Sequence, residues 1–148
     1  MAIIKLSQEE ADHLINMLKK SLVSEIEFPE KGNQIEFNVM GEKRTDIFSV
    51  NIFRGRINCR KYNINARIMK NGIMLLELHI NPSNVHMNPD GNKITGSHWH
   101  IYNEEYGRAW SFPAEEICSE QFVENTVTFL DRFHVIEKPV ICGQLEFS

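Results

Sequence analysis

Hydrophobic positions change their period twice along the chain. Ala11, Leu14, Ile15, Leu18 and Leu22 recur at helical spacing, with Glu9, Asp12, Lys19 and Lys20 on the opposite side, toward water. Ser7 followed by Glu10 is a capping box and Leu6 can staple onto Ala11, so the pattern predicts a helix from about Gln8 whose stripe lies on a sheet. After the turn-rich run Phe28–Asn33 the period drops to two. Ile35, Phe37 and Val39 alternate with Glu36 and Asn38, and Phe48, Val50 and Ile52 alternate with Ser49 and Asn51. These two half-buried strands are joined by a hairpin at Gly41-Glu42-Lys43. Gly55 separates them from a third strand, about Ile57 to Met69, and Asn71-Gly72 turns the chain into a fourth, Ile73 to Ile80. A loop from Asn81 to Ser97 leads to a strand at about Ser97 to Tyr102, and a short strand near Arg108 to Phe112 is stopped by Pro113. The helical period then returns. Ser119 is placed to cap a helix carrying Phe122, Thr126, Phe129, Leu130 and Phe133, ended by Lys138-Pro139, with Gln144 to Phe147 as a closing edge strand.

The prediction is an α+β fold: an antiparallel meander sheet packed by an N-terminal and a C-terminal helix, with a metal-clipped loop before the fifth strand. At 148 residues, with no repeat or linker, residues 1–148 read as a single domain large enough to bury a core. No apolar run reaches the roughly twenty residues of a membrane span, and the start Met-Ala-Ile-Ile-Lys does not read as a signal peptide, so a cytosolic protein is expected. Cys59, Cys118 and Cys142 are odd in number and widely spaced, which argues against a disulfide framework or a Cys-x-x-Cys knuckle; Cys118 and Cys142 are minor metal-ligand candidates.

The net charge of −4 conceals an uneven distribution. Residues 54–99 carry seven Lys/Arg against two Asp/Glu, whereas residues 100–148 carry three against nine. The basic stretch, with Arg54, Arg56, Arg60, Lys61, Arg67 and Lys70, suits phosphate or an acidic protein face, or else a charged sheet edge kept unpaired. Arg54, Arg56 and Arg60, together with Glu115, Glu116 and Glu120 in the acidic part, are the candidate partner-binding residues.

Four of the six histidines, His79, His86, His98 and His100, surround the turn Asn88-Pro89-Asp90-Gly91. On a strand His98 and His100 share a face, with Trp99 on the other. His79 lies near the end of the preceding strand and His86 in the loop, so one bend brings all four together. Neutral imidazoles in that arrangement suit a tetrahedral zinc ion, with Glu104 as reserve ligand. Glu77 shares a face with His79 and is placed to orient its ring. Solvated histidines are the ordinary alternative for a His-x-His pair.

Enzyme signatures are incomplete. His98-x-His100-x3-Glu104, after Gly91 and Gly96, resembles the first metal motif of the cupins, but their second motif has no match, because His134, the remaining candidate, falls on the expected helix. An HNH nuclease pattern is imitated by His86, Asn92 and His98, without the helix that should follow. HExxH, a phosphate-binding glycine loop and Gly-x-Ser-x-Gly are missing. No catalytic residue is assigned, and the metal-dependent hydrolase or oxygenase stays the alternative.

The string His86-x-Asn88-Pro89-Asp90-Gly91-x2-Ile94-x-Gly96-x-His98-x-His100-x-Tyr102, followed by Ala109-Trp110 and by Phe-Leu-Asp-Arg-Phe at the helix end, resembles a family of small phage and prophage proteins across about residues 45–148. In size and metal-site style the chain is similar to zinc-containing anti-CRISPR inhibitors of Cas9. The resemblance implies a phage-encoded zinc protein in the cytoplasm of a bacterial host. Its partner would be a Cas9-type effector nuclease, held by stoichiometric protein–protein binding without direct contact to nucleic acid or membrane.

Overall fold

The computed structural model describes residues 5–58, 60–117 and 121–142. Its frame is the expected one. Strands β3 (Gln34–Met40), β4 (Ile47–Arg54), β5 (Tyr62–Ile68) and β6 (Met74–Ile80) form an antiparallel meander. It continues through β9 (His98–Ile101) to the edge strand β10 (Ser111–Pro113). On the other side β1 (Lys19–Ser21) pairs with β3, and β11 (Val135–Glu137) lies parallel to β1. A separate parallel pair joins β2 (Glu25–Glu27) to β12 (Val140–Cys142). Helices α1 (Gln8–Asn16) and α2 (Phe122–Arg132) complete the α+β fold.

Strict alternation divides the sheet into two unlike faces. Across one face run Ile35, Ile52, Ile64, Leu78 and Trp99 in cross-strand register, beside Phe37, Val50, Ala66, Leu76 and Ile101. This face is the core, where Phe129 and Leu130 of α2 and the following Phe133 are fully buried and Phe129 stacks on Trp99 at 6.1 Å. Apolar cross-strand pairs of this kind fix the register, because a slip of one residue would turn every core side chain outward. The opposite face is polar: Glu36, Asn51, Asn65, Glu77 and His100 lie in one row, and Asn63, His79 and His98 in the next.

The structure corrects several boundaries. Helix α1 stops at Asn16, because Met17 is already extended (φ −63°, ψ 146°), and Leu18 and Leu22 are 57% and 50% exposed. The helical period persists in sequence, but pairing with β3 and β11 claims residues 19–21 for the sheet. Lys19, expected in water, is 1% exposed. Its ammonium donates to the carbonyls of Ile15, Met17 and Phe133 at 2.8–2.9 Å and lies 3.9 Å from the Phe133 ring centre, tying the ends of both helices together. Burial pulls its pKa down to about 7.

The third strand begins at Tyr62 rather than Ile57, since Gly55 N–H donates to the Lys61 carbonyl and closes a loop over the intervening residues. Helix α2 ends at Arg132, well before Lys138-Pro139. His134, expected on the helix, follows it in a left-handed turn (φ 60°) that reverses the chain into β11. The Ser119 cap and the Gln144–Phe147 strand lie outside the described residues. The Asn81–Ser97 segment is not structureless: β7 (His86–Met87) and β8 (Lys93–Ile94) pair as a small hairpin around Asn88-Pro89-Asp90-Gly91. There the Gly91 N–H reaches the Asn88 carbonyl with φ +87°, a conformation glycine adopts without a Cβ penalty. Among the described residues no helix is long and apolar enough to cross a membrane.

Candidate metal centre

Register builds the site. On the polar face Glu77 is opposite His100 and His79 is opposite His98 across β6 and β9, so three imidazoles and a carboxylate meet through nearest-neighbour pairing. His79, His98 and His100 each offer a ring nitrogen within 4.8 Å of the others, a group that can hold a metal ion. His86 arrives from the β7–β8 hairpin, with its ring 4.9 Å from His100 and 5.6 Å from His98. His98 and His100 are buried, and His79 keeps a solvent-facing edge.

The hydrogen bonds decide which nitrogens are free. His98 Nδ1 faces the Gly96 carbonyl at 2.9 Å, His100 Nδ1 the Arg108 carbonyl at 2.7 Å, and His86 Nε2 the Ala109 carbonyl at 2.7 Å. His79 Nε2 meets the Glu77 carboxylate. Carbonyl and carboxylate oxygens only accept, so each of these nitrogens carries the proton. The lone pairs then reside on His79 Nδ1, His86 Nδ1, His98 Nε2 and His100 Nε2. Metal-bound histidines show this pattern, with the second nitrogen held by an oxygen that fixes tautomer and ring angle.

The electrostatics agree with neutral rings. Burial lowers the His100 pKa to about 4, helped by His79 and His98, and burial lowers that of His98 as well. Such rings stay neutral at pH 7, as ligation requires. Glu77 is 3% exposed. Burial alone would raise its pKa, but the His79 hydrogen bond and Arg108, whose Nη2 is 2.5 Å from both carboxylate oxygens, bring it down to about 2.

Glu77 therefore orients His79 as its shared face suggested. Two further parts were not read from the sequence. Arg108 neutralises Glu77, and Asn88 latches the hairpin to the sheet: its side chain accepts from the Ser111 N–H at 2.8 Å and donates to the Ser111 carbonyl at 3.0 Å, imitating a neighbouring strand on the β10 edge. Asn88 is 6% exposed, and its place in a turn motif concealed this role. Its one sequence signal is a polar residue two positions after His86, on the segment that must reach the sheet.

The remaining candidates are dispersed. Glu104 is exposed and binds the start of α1 through Gln8, away from the imidazoles. Arg54 is not a surface residue: it is 1% exposed, with its guanidinium 4.6 Å from the Phe122 ring centre and an N–H on the Pro29 carbonyl. Its (CH2)3 stem and planar head fit an aromatic cage that a more strongly hydrated lysine would fill less well. Arg56 and Arg60 are exposed in the loop after β4. Glu115 is exposed, and Glu116 accepts from the Trp99 indole at 2.8 Å. Glu120, Cys59 and Cys118 lie outside the described residues, and Cys142 is an exposed free thiol on β12.

A family defined only as a family of unknown function, DUF6978, matches residues 6–135. The chain belongs to this family. The match takes in all four clustered histidines, Glu77, Asn88 and Arg108, so the whole site lies within the family's span. Comparison with curated proteins and with solved structures returned no match.

Proposed function

We propose that this member of the family is a zinc-clipped binding protein, and that it inhibits a Cas9-type effector nuclease of a bacterial host by stoichiometric binding. The observation that carries the zinc reading is the set of four imidazoles, each with one nitrogen already donated to an oxygen and one lone pair left over. Four such nitrogens match the coordination number and ligand preference of structural zinc, and a closed site has no position for a substrate. His86, whose ring centre lies 4.9 Å from that of His100, would be the ligand that turns the group of three into four. The inhibitor reading is supported by the resemblance of the His86–Tyr102 string to small phage proteins and by the acidic C-terminal third, which favours association with a basic face. The working location is the host cytoplasm.

A metal-dependent hydrolase is the second reading, favoured by the solvent-facing edge of His79: three protein ligands plus water would make a catalytic site. Elemental analysis of wild type and His86→Ala separates the two. Wild type should carry about one zinc per chain, and loss of His86 should weaken retention sharply, as expected for a fourth ligand. Protein purified without chelator and devoid of transition metal would remove both readings. In a cleavage assay, inhibition should be complete near an equimolar ratio to the effector; inhibition that grows with time at substoichiometric amounts would favour an enzyme, and absence of binding to any nuclease effector would end the inhibitor proposal.

A further inference from the structure

Behind the metal centre, near α1, Gln8, Ile101, Tyr102, Tyr106, Trp110 and Phe112 line an open groove of about 480 Å³. Tyr106 and Phe112 are 42% and 47% exposed, and the Tyr106 and Trp110 rings meet edge to face at 5.8 Å. Three exposed or half-buried rings on one small surface need a reason. Two features of the groove specify its occupant.

The first is charge. Gln8 fixes a carboxylate on each side of itself: its amide donates to Asp12 at 2.9 Å and its backbone N–H to Glu104 at 3.3 Å. Glu104 and Glu105 line the adjoining hollow together with Asn103 and Lys5. Of the nearby cations, Arg108 is already committed to Glu77, and Lys5 shares the adjoining hollow with two carboxylates. Aromatic faces rimmed by carboxylates attract a planar cation, and arginine is the side chain most often found over such rings.

The second is connectivity. Three consecutive carbonyls, of Arg108, Ala109 and Trp110, accept from the outer nitrogens of His100 and His86. The segment that presents Trp110 to the groove is thus hung from two of the metal-site histidines. We infer that this groove is a recognition site for an arginine side chain of a basic protein segment, and that the metal centre holds its Trp110 wall in place. The groove itself stands independently of the proposed function; its coupling to the histidines rests on the metal reading.

The test is an anisotropy titration of a labelled arginine–glycine peptide against the full chain as purified. Saturable binding that weakens with salt is expected. The isosteric citrulline peptide should bind about tenfold more weakly or worse, the equivalent of one buried cation–π contact. Trp110→Ala and, separately, Tyr106→Ala should each produce a comparable loss, and Glu104→Gln with Glu105→Gln a smaller one. Equal binding of the citrulline peptide, or full affinity in both aromatic variants, overturns the site. Chelated protein that keeps its far-UV circular dichroism should bind the peptide more weakly; unchanged affinity overturns the coupling. Should the purified protein prove metal-free, the zinc reading fails while the titration still reports on the groove.

Discussion

Two of this protein's polar clusters, one around Lys19 and one around the histidines of the polar sheet face, are finished to different degrees. Around Lys19 every valence is used: three N–H bonds meet three carbonyls, and the Phe133 ring covers the cation. Around His79, His86, His98 and His100 one nitrogen of each ring is held by an oxygen, and the rings of His79, His98 and His100 offer ligand atoms within 4.8 Å of one another. Lone pairs that converge without a donor between them repel one another, and a bound cation would satisfy them together. The first cluster is complete as folded, and the second includes a group of three that can hold a metal ion. The difference separates a polar group that serves the fold from one that is able to serve a ligand.

The largest effect that would sharpen this contrast is metal removal. Chelation, or His98→Ala with His100→Ala, should lower the melting temperature by roughly 10 °C or more, since metal binding contributes several kcal/mol as folding free energy and 1 kcal/mol moves a domain of this size by about 2–4 °C. Differential scanning calorimetry with and without chelator reads it directly, and an unchanged melting curve would break the comparison.

Lys19→Met should come next. It strands three carbonyls, at a cost of roughly 2–4 kcal/mol, yet leaves metal content unchanged because the two clusters share no residue. Urea denaturation combined with elemental analysis checks both halves. Its pH signature has a definite sign. The folded chain releases the Lys19 proton near pH 7 and the unfolded chain near 10.5. Between those values the unfolded state binds more protons, so this residue makes stability rise with pH across that window and leaves it lowest below it. Stability measured from pH 7 to 10 should therefore climb more steeply in wild type than in Lys19→Met; parallel profiles would show that the ammonium is held charged throughout.

A smaller effect is expected for Asn88→Ala. Cutting the Ser111 latch should cost about 1–3 kcal/mol, as buried groups lose their partners. Metal affinity should fall with it, because His86 is delivered by the same hairpin. Equilibrium zinc competition against a chromophoric chelator measures the second quantity. Full affinity in this variant would mean that His86 is positioned by the Ala109 carbonyl alone.

Much of the architecture was legible in one dimension. The alternation through Gln34–Ile80 specifies strands, their faces and their antiparallel pairing, because period-two burial and a two-residue turn such as Asn71-Gly72 act locally. The same alternation placed Glu77 beside His79, and His98 beside His100, before any fold was known. Local rules failed where distant segments compete for the same residues. Leu18 and Leu22 keep the helical period, but the β3 edge and the returning C-terminal strand offer ladder hydrogen bonds to residues 19–21, and the helix yields. Lys19 and Arg54 look like surface cations in any window of sequence; they are buried because carbonyls from two helix ends, or rings from two separate elements, converge on them.

By itself, then, the sequence determined which side chains share a face, since that depends on φ and ψ of neighbouring residues alone. Only the tertiary structure decided which faces meet. The cross-strand register sets His79 opposite His98, the Asn88 latch swings His86 over them, and carbonyls of Gly96, Arg108 and Ala109 choose the nitrogen each of His98, His100 and His86 leaves free. Those contacts join positions up to 23 residues apart, and their geometry follows from packing the whole sheet rather than from any local preference.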